Sequence, residues 1–269
     1  MCLTQRHLIC ALALTVGILA PGTCLGRQKP IGKPAVADLL TELHDRDWSV
    51  RYDDYARLRE DPIALARTDV RRALLDLLDR EDLLVESALR ESHEEVGVSG
   101  KYGEGFSEYL GQLGQTVDAF ADWTDPRQVC ILVRRAYDSQ SRFARTIASH
   151  GKIAMPCLIQ LYRSDVGLIR AKAPAVIIQV LADSKNKLDR HTIQVAKDIV
   201  LRALRDPSEA VRIDTVQALR DFGDADMISA LKQVAERDPS PEVNGYSIRK
   251  WASEAITKIE QRARNQKKL

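Results

Sequence analysis

The stretch Leu201-Arg-Ala-Leu-Arg-Asp206-Pro207-Ser208-Glu209-Ala-Val211-Arg212-Ile-Asp-Thr-Val216-Gln-Ala-Leu219 constrains the fold more than any other part of the chain. Apolar residues recur at helical spacing on both sides of the Asp-Pro. Asp206 is suited to cap the second helix, and Pro207 to its first position, where no amide partner is needed. Glu209, three residues after the cap, completes a capping-box pattern. The stretch therefore reads as helix, tight turn, helix.

Variants of this unit recur along the chain. Asp47 precedes Val50-Arg51, Asp125-Pro126 precedes Gln128-Val129, Asp165 precedes Ile169-Arg170, and Asp238-Pro239 precedes Ile248-Arg249. Asp61-Pro62 starts a further helix, and Asp79 to Val85 reads as a looser copy of the turn. Pro174 falls inside a helix and is expected to kink it. Pairs taken as unit markers at 50/51, 84/85, 129/130, 169/170, 211/212 and 248/249 lie 34, 45, 40, 42 and 37 residues apart. A drifting period near 40 with two helices per unit predicts an all-α chain, an α-solenoid of about six helical hairpins. Each hairpin needs its neighbours to bury its apolar face. The composition agrees: 45% hydrophobic but only 5% aromatic residues suits helices rich in Leu, Ala and Val better than a β-sandwich.

Two regions fall outside the rhythm. Arg6 and His7 precede an apolar run from Leu8 to Ala20, followed by Pro21-Gly-Thr-Cys-Leu-Gly26. This is the order of a cleaved secretory signal over residues 1–26, with an uncleaved anchor and lipidation at Cys24 as the alternatives; the run is too short for a membrane span of ~20 residues. Residues 27–35, with two prolines, read as a linker to the helical region 36–262, and 263–269 as a basic tail. The second break holds Gly97, Gly100, Gly103, Gly105, Gly111 and Gly114, six of the fourteen glycines, and predicts an insertion around 96–106. Tyr102, Phe106 and Tyr109 are its candidate anchors, unless Phe106 and Tyr109 simply start the next helix.

An exported chain meets an oxidising setting. Once the leader is gone, only Cys130 and Cys157 remain of the five cysteines. They can pair if their helices are neighbours; the reading favoured from sequence is two small buried residues.

The run Asp-Pro-Ser-Glu-Ala-Val-Arg at 206–212, with Asp214-Thr-Val216-Gln-Ala218-Leu219-Arg-Asp-Phe-Gly223-Asp after it, resembles the bacterial HEAT-like repeats also found in phycobilin lyases. The Asp-Val-Arg signature of that family matches Asp206, Val211 and Arg212, and again Asp47, Val50 and Arg51 with a shortened turn. The resemblance covers about 150–262 and 36–60. It implies stacked helical pairs used mostly for protein binding, and so an architecture more than an activity.

Charge is unevenly distributed along the chain. Residues 38–95 carry 17 acidic and 9 basic side chains, residues 127–205 carry 15 basic and 5 acidic, and residues 206–269 carry 11 of each. Laid out along a solenoid, this gives an acidic arm beside a basic middle. One reading is a docking surface for an anionic partner carried by Arg134, Arg135, Arg142, Arg145, Lys152, Arg163 and Arg170. The other is a solvated face, with each marker arginine bonded to the neighbouring turn. A net charge of +2 gives no reason to expect nucleic acid.

Constellations for chemistry are lacking in the sequence. Gly100-Lys-Tyr-Gly-Glu-Gly105 has neither the preceding strand nor the Gly-Lys-Ser/Thr ending of a phosphate loop. His44, His93, His150 and His191 lie in different units, without metal-ligand spacing. There is no Gly-x-Ser-x-Gly elbow. Asp53-Asp54, among arginines, reads as a solvated face. The expectation is an exported scaffold or adaptor that binds another protein, with no cofactor and no catalysis of its own. The alternatives are a cofactor-handling accessory protein of lyase or chaperone type, using the solenoid groove near 96–106 and Cys130, and a self-assembling structural protein.

Overall fold

Asp125 and Pro126 illustrate how the helices start. The Asp125 carboxylate accepts the backbone N–H of Arg127 at 2.9 Å, and Pro126 occupies the first helical position. Gln128 reaches back, its side-chain oxygen accepting the N–H of Asp122 at 2.9 Å and its amide donating to Asp125 at 3.0 Å. Asp61-Pro62 repeats the device, with N–H groups of Ile63 and Ala64 donated to Asp61. Such caps contribute ~1 kcal/mol each.

In this computed structural model the described residues are 35–91, 105–135, 142–183, 188–242 and 247–266. The expected signal segment, most of the linker, Tyr102 and most of the 96–106 insertion lie outside them, as do His93 and the side chain of Arg142. Every regular element among the described residues is helical. The first are α1 (Val36–Glu42), α2 (Trp48–Arg59), α3 (Pro62–Ala66) and α4 (Thr68–Glu91). After them come α5 (Phe106–Phe120), α6 (Pro126–Val133), α7 (Arg142–Ser149), α8 (Gly151–Leu161) and α9 (Gly167–Arg170). The last are α10 (Lys172–Ala182), α11 (Arg190–Ala203), α12 (Glu209–Phe222), α13 (Ile228–Arg237) and α14 (Ile248–Gln266), with a 3₁₀ turn at Ala225–Met227 before α13.

Packing follows chain order. Helix α2 packs on α1, α3 and α5; α4 on α3, α5 and α6; α8 on α6, α7 and α10. Helix α10 packs on α11 and α12, and α14 covers α12 and α13. One hydrophobic cluster runs through all of them, from Leu39 and Leu43 through Leu74, Leu132, Leu158, Val176 and Val200 to Ile259. Full burial of each such side chain contributes about 1.5–3 kcal/mol before entropy is counted. Aromatic residues concentrate where α2 meets α5. Trp48, Tyr52, Tyr55, Phe106 and Tyr109 sit with ring centroids 5.4–6.5 Å apart. Phe106 and Tyr109 begin α5 and are buried in this cluster, so they are core residues.

Several local expectations are corrected. Asp79 to Val85 forms no turn: α4 runs unbroken from Thr68 to Glu91. The stretch holds neither Pro nor Gly, and its Leu, Glu and Arg are good helix formers. Around Asp206 the second helix starts at Glu209, with Ser208 as N-cap. Asp206 instead accepts the N–H of Ser208 at 2.9 Å, which closes the turn ahead of the helix. Asp54 is fully buried, because residues 51, 54, 55 and 58 of α2 face inward together; only Asp53 is exposed. Pro174 acts as expected: the helix is interrupted at Ala171, between α9 and α10. Helix α14 continues to Gln266, so part of the expected tail is helical.

The cysteine reading favoured from sequence is also replaced. Helices α6 and α8 are neighbours, and Cys130 and Cys157 are joined by a disulfide with their Cα atoms 5.2 Å apart. That separation suits the bond.

Candidate functional site

The acidic and basic blocks of the sequence meet across α4. Asp76, Asp79, Asp82 and Glu86 are spaced three, three and four residues apart and so share one face of that helix. Arg127 pairs with Asp76 at 2.9 Å, Arg134 pairs with Asp79, and Arg135 pairs with Asp82 at 2.7 Å. At the end of the helix Arg90 reaches both Glu86 and Asp165 at 3.1 Å.

Three marker arginines make the same kind of contact within their turns and beyond them. Arg51 donates to the carbonyls of Asp45 and Arg46 in its own turn and forms a two-point pair with Glu81 at 2.5 and 2.9 Å. Arg170 donates to the Ser164 carbonyl at 2.6 Å and grips both oxygens of Asp206 at 2.9 and 2.8 Å. Arg212 donates to the carbonyls of Asp206 and Pro207 at 2.7 and 3.1 Å, to Asp238 at 2.8 Å and to the Ser240 hydroxyl at 2.6 Å. Asp206 and Asp238 thus hold equivalent turn positions, each accepting the N–H two residues on and each bound by an arginine from the preceding unit, and Ser164, which accepts the N–H of Val166 at 3.2 Å, holds the matching place in the turn before α9. The planar guanidinium suits this work, since one face of its fork can serve a carbonyl while the other pairs with a carboxylate. Although burial acts to raise it, Arg212 and Ser240 hold the Asp238 carboxyl below its usual range.

The basic residues expected to dock a partner divide accordingly. Arg135 is 2% exposed, Arg170 is largely buried, and Arg134 is half-buried; all three are ion-paired within the chain. Arg145, Lys152 and Arg163 are exposed. Lys152, Pro156, Gln160 and Arg163 form an exposed stripe along α8 and just beyond its end.

A buried charged cluster lies between α4, the end of α6 and α10. Asp82 is buried, and its Oδ2 has no hydrogen-bond partner among the described residues. Burial pushes its carboxyl up against the pull of Arg135, Lys172 and Arg134. Lys172 donates to the Arg134 carbonyl at 3.0 Å, and burial brings its ammonium down to about 8 while Asp82 opposes the shift. Asp82, Glu86, Arg134, Leu161, Ile169 and Lys172 line a narrow crevice here.

No His, Cys, Asp and Glu grouping that could hold a metal ion occurs among the described residues. His44 contacts Arg80 at 3.2 Å, His150 stacks on Trp123 at 5.2 Å, and His191 is exposed. No described helix is long and apolar enough to cross a membrane. Comparison with protein-family models and with curated proteins gave no match for this chain.

Sequence reasoning missed the acceptors of the network. Glu81, Asp82 and Asp238 give no local sign that they are buried, although Asp238 recurs at the turn position held by Asp206.

Proposed function

We propose that this chain is an exported HEAT-like α-solenoid that serves as a scaffold or adaptor for another protein. The observation that carries the reading is the recurrence of one interface chemistry between successive units, a buried or largely buried marker arginine gripping the turn aspartate of the next: Arg170 to Asp206 and Arg212 to Asp238. Stacked repeats join through such repeated neighbour contacts and present extended surfaces to partners. Export is supported by the apolar Leu8–Ala20 run and by the Cys130–Cys157 bond, which suits an oxidising compartment. Arg145, Lys152 and Arg163 are the exposed members of the basic set that an anionic partner would meet, whereas Arg135 and Arg170 are buried or largely buried.

The test is capture of partners from an envelope fraction by the native protein and by a variant carrying Arg145→Gln, Lys152→Gln and Arg163→Gln. A protein retained by the first and lost from the second, with retention falling as salt rises, supports the docking face. Equal capture by both dismisses it. The alternative of a cofactor-handling accessory protein draws on one observation, an open cleft of about 460 Å³ beside α5.

A further inference from the structure

That cleft lies between α2, α3, the start of α4 and the second half of α5, away from the basic stripe of α8. Arg59, Arg71, Gln112, Gln115 and Thr116 supply its polar lining, and Leu65 and Phe120 part of its apolar wall. Both arginines are held in place. Arg59 donates to the Gln112 side-chain oxygen at 2.5 Å and lies 5.8 Å from the Tyr55 ring centre. Arg71 donates its Nε–H to the Leu65 carbonyl at 2.7 Å, and its guanidinium lies 5.6 Å from the centre of the Phe120 ring.

These two arginines line one cleft that has no counter-charge among its described lining residues. Arg51, Arg90, Arg127, Arg134, Arg135, Arg170 and Arg212 are each matched to a carboxylate on another element or turn. Arg59 and Arg71 form no ion pair among the described residues, and no described Asp or Glu lines the cleft. The nearby acids are turned to other groups: Asp69 pairs with Arg67, and Glu108 accepts the Gln112 amide. With no acid in the lining, an oxyanion that enters the cleft takes charge-assisted hydrogen bonds from guanidiniums that have no internal carboxylate to give up. An apolar wall beside a few convergent donors, in a cleft within the usual size range for small ligands, adds room for a short carbon body.

We infer that the cleft formed by Arg59, Arg71 and Phe120 binds a small organic oxyanion, a phosphate or carboxylate carried on a single ring or short chain. The inference is independent of the scaffold reading, because it uses neither the solenoid nor the α8 stripe.

The probe is phenyl phosphate, titrated calorimetrically at low ionic strength into the full chain, with benzoate and inorganic phosphate as comparison arms. The expected result is saturable binding, tighter for phenyl phosphate than for inorganic phosphate, with benzoate reporting whether a carboxylate serves as well. Arg59→Gln and Arg71→Gln should each weaken it by about tenfold, the effect of removing one charged hydrogen-bond donor. Phe120→Ala should erase the advantage of the phenyl group and leave inorganic phosphate binding unchanged. Arg67→Gln, an exposed arginine outside the cleft, should change nothing. Both cleft arginines are exposed, so their variants should keep the native far-ultraviolet dichroism. Absence of saturable binding for all three probes, or equal weakening by Arg67→Gln, overturns the assignment.

Discussion

Arg170 donates its Nε–H and one Nη–H to the two oxygens of Asp206, while Asp206 accepts the backbone N–H of Ser208 in the turn before α12. Asp206 also offers its own carbonyl to Arg212, which carries the connection on to Asp238. Side chains and turns of successive units are thus linked in series, and damage to one link should reach the next.

Replacing Arg212 by Met should therefore be among the most damaging single changes. It leaves the Asp238 carboxylate buried without its cation, and removes the donor shared by Ser240 and two carbonyls. The expected cost is ~3–5 kcal/mol, the range for breaking a buried ion pair from one side. Arg67→Met, which removes a fully exposed pair with Asp69, should barely move the unfolding midpoint. Urea unfolding of the two variants beside the native chain measures both; similar midpoints would contradict the argument.

The disulfide should contribute through the unfolded chain. Cys130 and Cys157 are 27 residues apart, and closing a loop of that size removes ~3.5 kcal/mol of unfolded-state entropy on the chain-entropy view. Thermal unfolding with and without reductant should differ clearly in the native protein, and Cys130→Ser/Cys157→Ser should show no response to reductant.

Two glycines near the sequence break should respond in opposite directions to alanine. Gly105 has φ +93° immediately before α5, so Gly105→Ala forces a side chain into the left-handed region at ~1–2 kcal/mol. Gly111 lies inside α5 with open space where a Cβ would go, so Gly111→Ala should stabilise by about 0.5–1 kcal/mol. Calorimetric melting temperatures of the two variants should bracket that of the native protein.

The Lys172 ammonium should leave a signature at alkaline pH. Its pKa falls from 10.5 to about 8 on folding, so above pH 8 the unfolded chain holds more protons at this site than the folded one. Stability contributed by the site therefore rises as pH increases from about 8 to 10. Above that range Tyr109, whose hydroxyl burial pushes upward, works in the opposite sense. Comparing unfolding free energies of the native chain and Lys172→Met at several pH values isolates the contribution. The native-minus-variant difference should climb between pH 8 and 10, and a constant difference would show that the ammonium is not desolvated.

Much of the helical frame could be read directly from local chemistry. The Asp-Pro caps at Asp61 and Asp125 are where the pattern puts them, because capping is decided within a few residues. The unbroken α4 was not legible: Asp79 to Val85 mimics a turn only if its acids are assumed to be solvated, and Glu81 and Asp82 are buried by partners 30 and 53 residues away. The same limit applies to the candidate docking residues. Arg135 and Arg145 look alike in sequence, yet one is sealed against Asp82 and the other is exposed. The cleft arginines are not legible in the sequence, because Arg59 and Arg71 sit in an acidic segment, where nearby carboxylates suggest neutralisation that the fold does not supply.

The bond between α6 and α8 also bears on how this chain would survive proteolysis. A single cut anywhere from residue 131 to residue 156 would divide the polypeptide without separating its two fragments, since Cys130 and Cys157 keep them tethered. A nicked molecule would migrate as one species until reduced, and both pieces would keep the large helical faces that hold them together.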